Sequence, residues 1–283
     1  MATPAAGSIG ALLRDYLTEQ HDALLRRDPR REAAARLDDR ARHAVLGLEA
    51  AVQVFQPVFA TRSAAQLLGE LSWLVSLLGE VHDRQTLRTR IQARLASLSE
   101  LLVLGPVQAN VERVLGAEQA EHLERLREAV DSDRYHQLLA TLGEWSSAPP
   151  LAPKADRPSA TVAKFLTRAA DDFDRELAGA PLDRAPRHLS RARRAARQLR
   201  LAAQVDAGSL GRKVTKRVER ARPVADLLDE LASSLRVAEF LQRVGPATDG
   251  DAEHNGFTYG LLYEQEVRRA AVLRGRLEHE QRR

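Results

Sequence analysis

Residues 66–81 read QLLGELSWLVSLLGEV. Within them Leu67, Leu71, Leu74, Leu78 and Val81 recur at alternating spacings of four and three, which places them on one stripe of a 3.6-residue helix, the seam of a bundle helix. The same spacing returns at Leu228, Leu231, Leu235 and Ala238. The period-two alternation that strands require, bounded by turn residues, is sustained nowhere. An all-α fold is therefore expected.

Outward from these seams, the helical pattern breaks at Asp28-Pro29, at Gln56-Pro57, around Gly105-Pro106, and most clearly at SSAPPLAPKADRPSA, residues 146–160, which holds Pro149, Pro150, Pro153 and Pro158. Such a stretch cannot continue a helix and reads as a linker. It divides the chain into halves, 1–145 and 161–283. Each half offers a charged amphipathic helix followed by a leucine-rich one: ARLDDRARHAVLGLEAAVQVF (35–55) in the first, RHLSRARRAARQLRLAAQ (187–204) in the second. That order predicts an internal duplication, two helical bundles related by an approximate twofold, with the charged helices lining a cleft.

The chain of 283 residues is long enough to bury one large core or two modest ones. Without cysteine it has no disulfides and no thiolate metal sites, which fits a reducing compartment. The N-terminal MATPAAGSIGALLRDYL has no basic leading region and its apolar run is broken at Arg14 and Asp15, so it is not read as a signal peptide. No segment approaches the ~20 uninterrupted apolar residues of a membrane span. The expectation is a cytoplasmic, bacterial protein.

Net charge is +4, and 39 of the 43 basic residues are arginine. A GC-rich genome gives the same bias, but arginine's planar fork also suits phosphate oxygens. Distribution matters more than the total. Residues 184–222 are mainly basic, while acids crowd the first half and the C-terminal third. Read as a helix, residues 187–204 put Arg187, Arg191, Arg193, Arg194, Arg197 and Arg200 on about half the circumference and Leu189, Ala192, Ala195, Ala196, Leu199 and Ala203 on the other. Like charges at i,i+3 and i,i+4 repel, and no acid within the segment relieves them. Either acids on neighbouring helices neutralise a solvated face, or the face is a wall that binds anions. After the break VDAGSLG, Lys213, Lys216, Arg217 and Arg220 continue the run as a second wall. Arg42 and Arg84 are weaker contributors from the first half.

The order and spacing of LEAAVQVFQPVF (48–59), ELSWLVSLLGEVHDRQTLRTRI (70–91), DSDRYHQLLATLGEWSSAPPL (131–151), LSRARRAARQLRLAAQ (189–204) and FTYGLLYEQEVRRAAVLRGRLEHE (257–280) resemble the CHAD domain, a family named for conserved histidines on an α-helical scaffold. The resemblance implies two helical bundles with approximate twofold symmetry that bind inorganic polyphosphate in a basic central cleft, which directs some members to polyphosphate granules. The departures are uneven. Where the family's first charged helix has a histidine, an arginine three residues on and an Arg-Arg-x-Arg cluster, this sequence holds Asp39, Arg42, and then Leu46, Gly47 and Glu49. In the second half Ser190 takes the histidine position, Arg193, Arg194, Arg197 and Arg200 match basic positions, and Gln198 does not. The family's later Gly-x-His segment falls at Asp229, Glu230 and Leu231. A site held mainly by the second half is expected.

Three motifs that suggest catalysis are set aside. His82-Asp83 is reminiscent of metal phosphohydrolases, but no ordered set of further ligands accompanies it; His82 is expected to end a bundle helix, and Asp83 matches an acidic position of the family, where the resemblance implies that it orients arginines. EQEVR (264–268) resembles the acid-x-acid-x-base motif of triphosphate tunnel enzymes, yet it sits in a helical pattern where Glu264 with Arg268 and Glu266 with Arg269 read as surface charges. GSLGRK (208–213) lacks the spacing and the Ser or Thr of a P-loop. The eight histidines show no metal-ligand pairing. The reading is a non-enzymatic polyanion-binding protein without metal or cofactor, its partner being inorganic polyphosphate. Nucleic acid is the lesser partner, since aromatic residues are only 4% and offer no stacking platform. A scaffold that binds another protein is the remaining alternative.

Overall fold

The computed structural model describes residues 4–25, 39–182, 189–206, 208, 210–245 and 256–282. Among them lie nine α-helices: α1 (Ile9–Leu25), α2 (Asp39–Val54), α3 (Thr61–Ala96), α4 (Val107–Val130), α5 (Asp133–Ser147), α6 (Val162–Ala178), α7 (Ser190–Ala202), α8 (Arg212–Val244) and α9 (Phe257–Gln281). The described residues form no strand, only two isolated bridges, Ser8 with Pro158 and Phe59 with Leu151. The fold is all-α, as the leucine spacing predicts. Leu67, Leu71, Leu74, Leu78 and Val81 are all buried, and the stripe continues through Leu87, Ile91 and Leu95, giving α3 a length of 36 residues. His82 therefore lies inside this helix, not at its end as expected, because the apolar period does not stop at Val81.

Helix boundaries follow the local chemistry. The Gln56-Pro57 break becomes a short 3-10 turn, Gln56–Val58, after α2. Gly105 takes a positive φ of 77°, which a side chain would strain, and Pro106 follows it to open α4. Ser8 Oγ accepts from the N–H of Ala11 and Ser132 Oγ from that of Tyr135, capping α1 and α5. Asp28-Pro29 lies outside the described residues.

The chain forms two compact units, one of Met1–Gly79, Leu123–Arg175 and Arg194–Pro223, the other of Glu80–His122, Glu176–Arg193 and Val224–Arg283. Each draws on residues from both sides of the proline-rich stretch. In the first unit α1 packs on α2 and α5. The α1–α2 approach is close enough that a Cβ on Gly47 would meet Tyr16 Oη at 2.8 Å. Phe55 stacks at a tilt on Phe165 and Phe59 on Trp145, with ring centroids 5.5 and 5.0 Å apart. Residues 148–161 carry no α-helix, but they are tied into this unit by backbone bonds: Ala60 N–H to Pro150 O, Ala152 N–H to Val58 O, Ile9 N–H to Arg157 O and Ser159 N–H to Gly7 O. Ala155 is buried there against Gly10.

The second unit has its own core, in which Leu87, Ile91 and Leu95 of α3 meet Val107, Val111 and Leu115 of α4, Val237, Phe240, Leu241 and Val244 of α8, and Tyr259 and Leu262 of α9. One charged residue sits in this interior. Glu266 is 0% exposed and takes two hydrogen bonds from Arg90, at 3.2 and 2.7 Å, and one from Arg94 at 2.7 Å, while Arg90 also donates to Ser234 Oγ. This corrects the expectation that Glu266 and Arg269 pair on the helix surface: Arg269 instead meets Glu230, and Glu264 with Arg268 is the exposed i,i+4 pair, at 2.6 Å.

Candidate basic site

The amphipathic reading of α7 holds for most positions, with Ala195 only half-buried and Arg193 17% exposed. Leu189 just before it, then Ala192, Ala196 and Leu199, are buried, and the arginines stand on the opposite face. Arg187 lies outside the described residues. Most of the remaining candidates do not face bare solvent.

In the first unit Arg194 donates to Glu49 Oε1 at 3.4 Å, and that same oxygen accepts from Ser72 Oγ at 2.8 Å. Glu49 is itself buried on α2, one of the positions where the resemblance implies a basic residue. Arg217 forks onto two acids of α6, Asp171 at 2.7 Å and Asp174 at 2.5 Å, and Arg220 reaches Asp174 at 3.6 Å. Burial opposes the charge of Arg217, but the hydrogen bonds to Asp174 and Asp171 outweigh it, so its pKa is raised above the ordinary guanidinium value. Arg42, Arg197 and Arg200 are half-buried, whereas Lys213 and Lys216 are exposed.

In the second unit the structure brings Arg84 and Arg193 together around a third arginine, Arg236 of α8. Arg193 Nε donates to Asp229 at 2.6 Å, Arg236 Nη1 stands 3.3 Å from Asp83, and Arg84 pairs with Glu118 at 3.0 Å and donates through Nε to His122 Nε2 at 3.3 Å. Burial pulls the Arg236 pKa down, Asp83 and Asp229 oppose that pull, and the charges of Arg193 and Arg84 add to it. Asp83 thus stands beside an arginine, as the resemblance implies. Arg191 is exposed at the start of α7.

Among the described residues, no carboxylate lies within ion-pair distance of Arg191, Arg200, Lys213 or Lys216. The basic run is therefore mixed: four of its members have resident acids on neighbouring helices and four have none. Arg236 escapes the sequence reading because it has no arginine beside it. Its signal is positional, since Arg236 lies seven residues after Asp229, on the same side of α8 and next to the seam of Leu228, Leu231, Leu235 and Ala238. Among the described residues no group of three or more His, Asp and Glu side chains is placed to hold a metal ion, and no helix is long and apolar enough to cross a membrane.

The CHAD domain family model matches residues 7–242. Two uncharacterized proteins of Mycobacterium tuberculosis, MT2285 and Rv2226, are each 31% identical over 242 residues, covering 79% of this chain; the chain spans 43% of the length of each. Among solved structures, PptA from Streptomyces chartreusis is similar with a TM-score of 0.74 at 20% identity, over 96% of this chain and 99% of its own. The CHAD domain from the plant Ricinus communis has a TM-score of 0.69 at 21% identity, over 98% of this chain and 94% of its own. At these identities the two structures speak to the fold alone.

Proposed function

Since the chain belongs to the CHAD domain family, we propose that it binds inorganic polyphosphate, or a polyanion of similar charge density, through its arginine-rich helices and without catalysing a reaction. The observation that supports this reading is the imbalance of residues 190–222, where eleven basic residues stand against two acids, Asp206 and Glu219. Arg191, Arg200, Lys213 and Lys216 keep no resident carboxylate among the described residues, so an anion reaching them displaces only counterions and water. Arginine supplies the planar donors that phosphate oxygens accept, and lysine a flexible point charge. A cytoplasmic location and association with polyphosphate granules follow from the same reading.

The alternative, a scaffold for another protein, draws support from the acids that already neutralise Arg193, Arg194, Arg217 and Arg220. Equilibrium binding of long-chain polyphosphate across a sodium chloride series separates the two. The polyanion reading expects affinity to fall steeply with salt, by roughly 0.7–0.9 log units per log unit of salt for each neutralised phosphate, by analogy with nucleic acids. An intact fold with no measurable binding at physiological salt would leave the scaffold reading. If nucleic acid of matched charge displaces polyphosphate, and not the reverse, nucleic acid is the ligand.

A further inference from the structure

Arg236 makes no hydrogen bond to any described residue, although three-quarters of its side chain is covered. A guanidinium has five donors, and here one of them stands 3.3 Å from the Asp83 carboxylate. None of its nitrogens is sealed from solvent without a partner. Its guanidinium therefore reaches water from a largely covered position, with Arg193 and Arg84 near enough to oppose its charge. Like charges gathered at a largely covered position repel, and an anion that meets them together relieves that repulsion.

Of the acids beside these arginines, Glu118 is 22% exposed and stays with Arg84, whereas the other two are more exposed than the arginines they meet. Asp83 and Asp229 are 45% and 55% exposed, against 24% for Arg236 and 17% for Arg193. The carboxylates can swing into water at little cost, while the guanidiniums, held by their buried stems, stay in place. An incoming anion that replaces both aspartates restores the balance of charge only if it brings about two negative charges itself. An internal phosphate of a polyphosphate chain carries one. A terminal phosphate carries up to two, its second proton leaving near pH 6.

We propose that Arg84, Arg193 and Arg236 form an anchor for one terminal phosphate dianion, taken in exchange for Asp83 and Asp229. The anchor rests on the polyanion reading, to which it adds recognition of the chain end. All five residues belong to the second unit. The exchange has a sign that a purely structural role lacks: removing an arginine weakens binding, and removing the aspartates strengthens it.

The test uses the full chain at fixed salt and pH 8, with three probes: linear tripolyphosphate, which has two ends; cyclic trimetaphosphate, which has none; and inorganic phosphate. The variants are Arg236→Met, which keeps the apolar stem, and the pair Asp83→Asn with Asp229→Asn. Tripolyphosphate affinity should fall about tenfold or more in the first and rise several-fold in the second, with trimetaphosphate changing less than about twofold in both. Inorganic phosphate bound in an Arg236-dependent way places a free dianion at the same anchor and supports it. The anchor is overturned if both variants shift tripolyphosphate binding in one direction, if trimetaphosphate follows tripolyphosphate, or if Arg236→Met has no effect. Should Arg236→Met fail to fold by circular dichroism, the aspartate pair decides alone, and absence of a gain rejects the anchor. Long-chain binding by the unaltered protein tests the parent reading separately: it can survive a failed anchor, and tripolyphosphate binding without it leaves the anchor and removes the parent.

Discussion

Replacing Glu266 by glutamine tests whether the buried charge in the second unit stabilises the fold or is merely tolerated. The carboxylate is fully buried and accepts from Arg90 twice and from Arg94 once. Breaking a buried ion pair by removing one partner costs about 3–5 kcal/mol, because the other charge is left uncompensated. Here Arg90 and Arg94 keep some contact with water, at 17% and 29% exposure, which recovers part of their solvation. The expected loss is therefore about 2–4 kcal/mol, a large share of the ~5–15 kcal/mol that a domain holds. Urea denaturation followed by circular dichroism should show the midpoint lowered by about 1 M or more. The pH dependence supplies a second check. Burial raises the Glu266 pKa, but the hydrogen bonds from Arg90, Arg94 and Ser234 outweigh it and hold the group below the usual carboxylate range. A depressed folded-state pKa contributes stability above the unfolded value, near 4.3, that is lost as pH falls through the folded value. The stability difference between the unaltered protein and the Glu266→Gln variant should stay flat from pH 7 to about 5 and close below about 4. A loss under about 0.5 kcal/mol at pH 7, or a difference that persists undiminished to about pH 2, would refute the reasoning.

Gly47→Ala should destabilise by about 1–3 kcal/mol despite alanine's better helix propensity, because its Cβ meets the buried Tyr16 hydroxyl at 2.8 Å; Gly69→Ala, with open space around it, should stabilise by up to about 1 kcal/mol, and thermal melts of the two read the difference. In the salt series, Arg200→Ala should flatten the slope more than Arg193→Ala, since Arg193 already holds Asp229 and releases little counterion, and Arg42→Ala should change affinity least. Equal slopes for Arg200→Ala and Arg193→Ala would mean that resident acids do not exclude counterions.

The seam of α3 is legible because five apolar residues at helical spacing have one physical outlet, burial, and all five are buried. The inner face of α7 is legible for the same reason. Glu266 is misread because a local rule, pairing at i,i+3 or i,i+4, competes with partners 172 and 176 residues away that no local rule can see. Its signal is nonetheless there: Leu262, Glu266, Ala270, Leu273 and Leu277 recur at core spacing, so the carboxylate occupies a position of the apolar stripe. A charge inside a stripe demands a partner, and two arginines one turn apart on α3 supply it. The proline-rich stretch shows the opposite limit. Its prolines announce where helices cannot run, but its bonds to residues 7–9 and 58–60 depend on backbone groups that every sequence has.

Resident acids change what an arginine-rich surface selects. Where Arg193 or Arg217 already holds a carboxylate, an incoming anion must outcompete a tethered group that is present at high effective concentration. A sparse polyanion, reaching one arginine at a time, gains too little at each to displace its acid. A dense one engages several cations at once, and each displaced aspartate, already about half exposed, recovers hydration. Under the proposed reading, then, the acids that weaken every single contact also raise the charge density required for binding, which favours polyphosphate over single-stranded nucleic acid without any contact to a base.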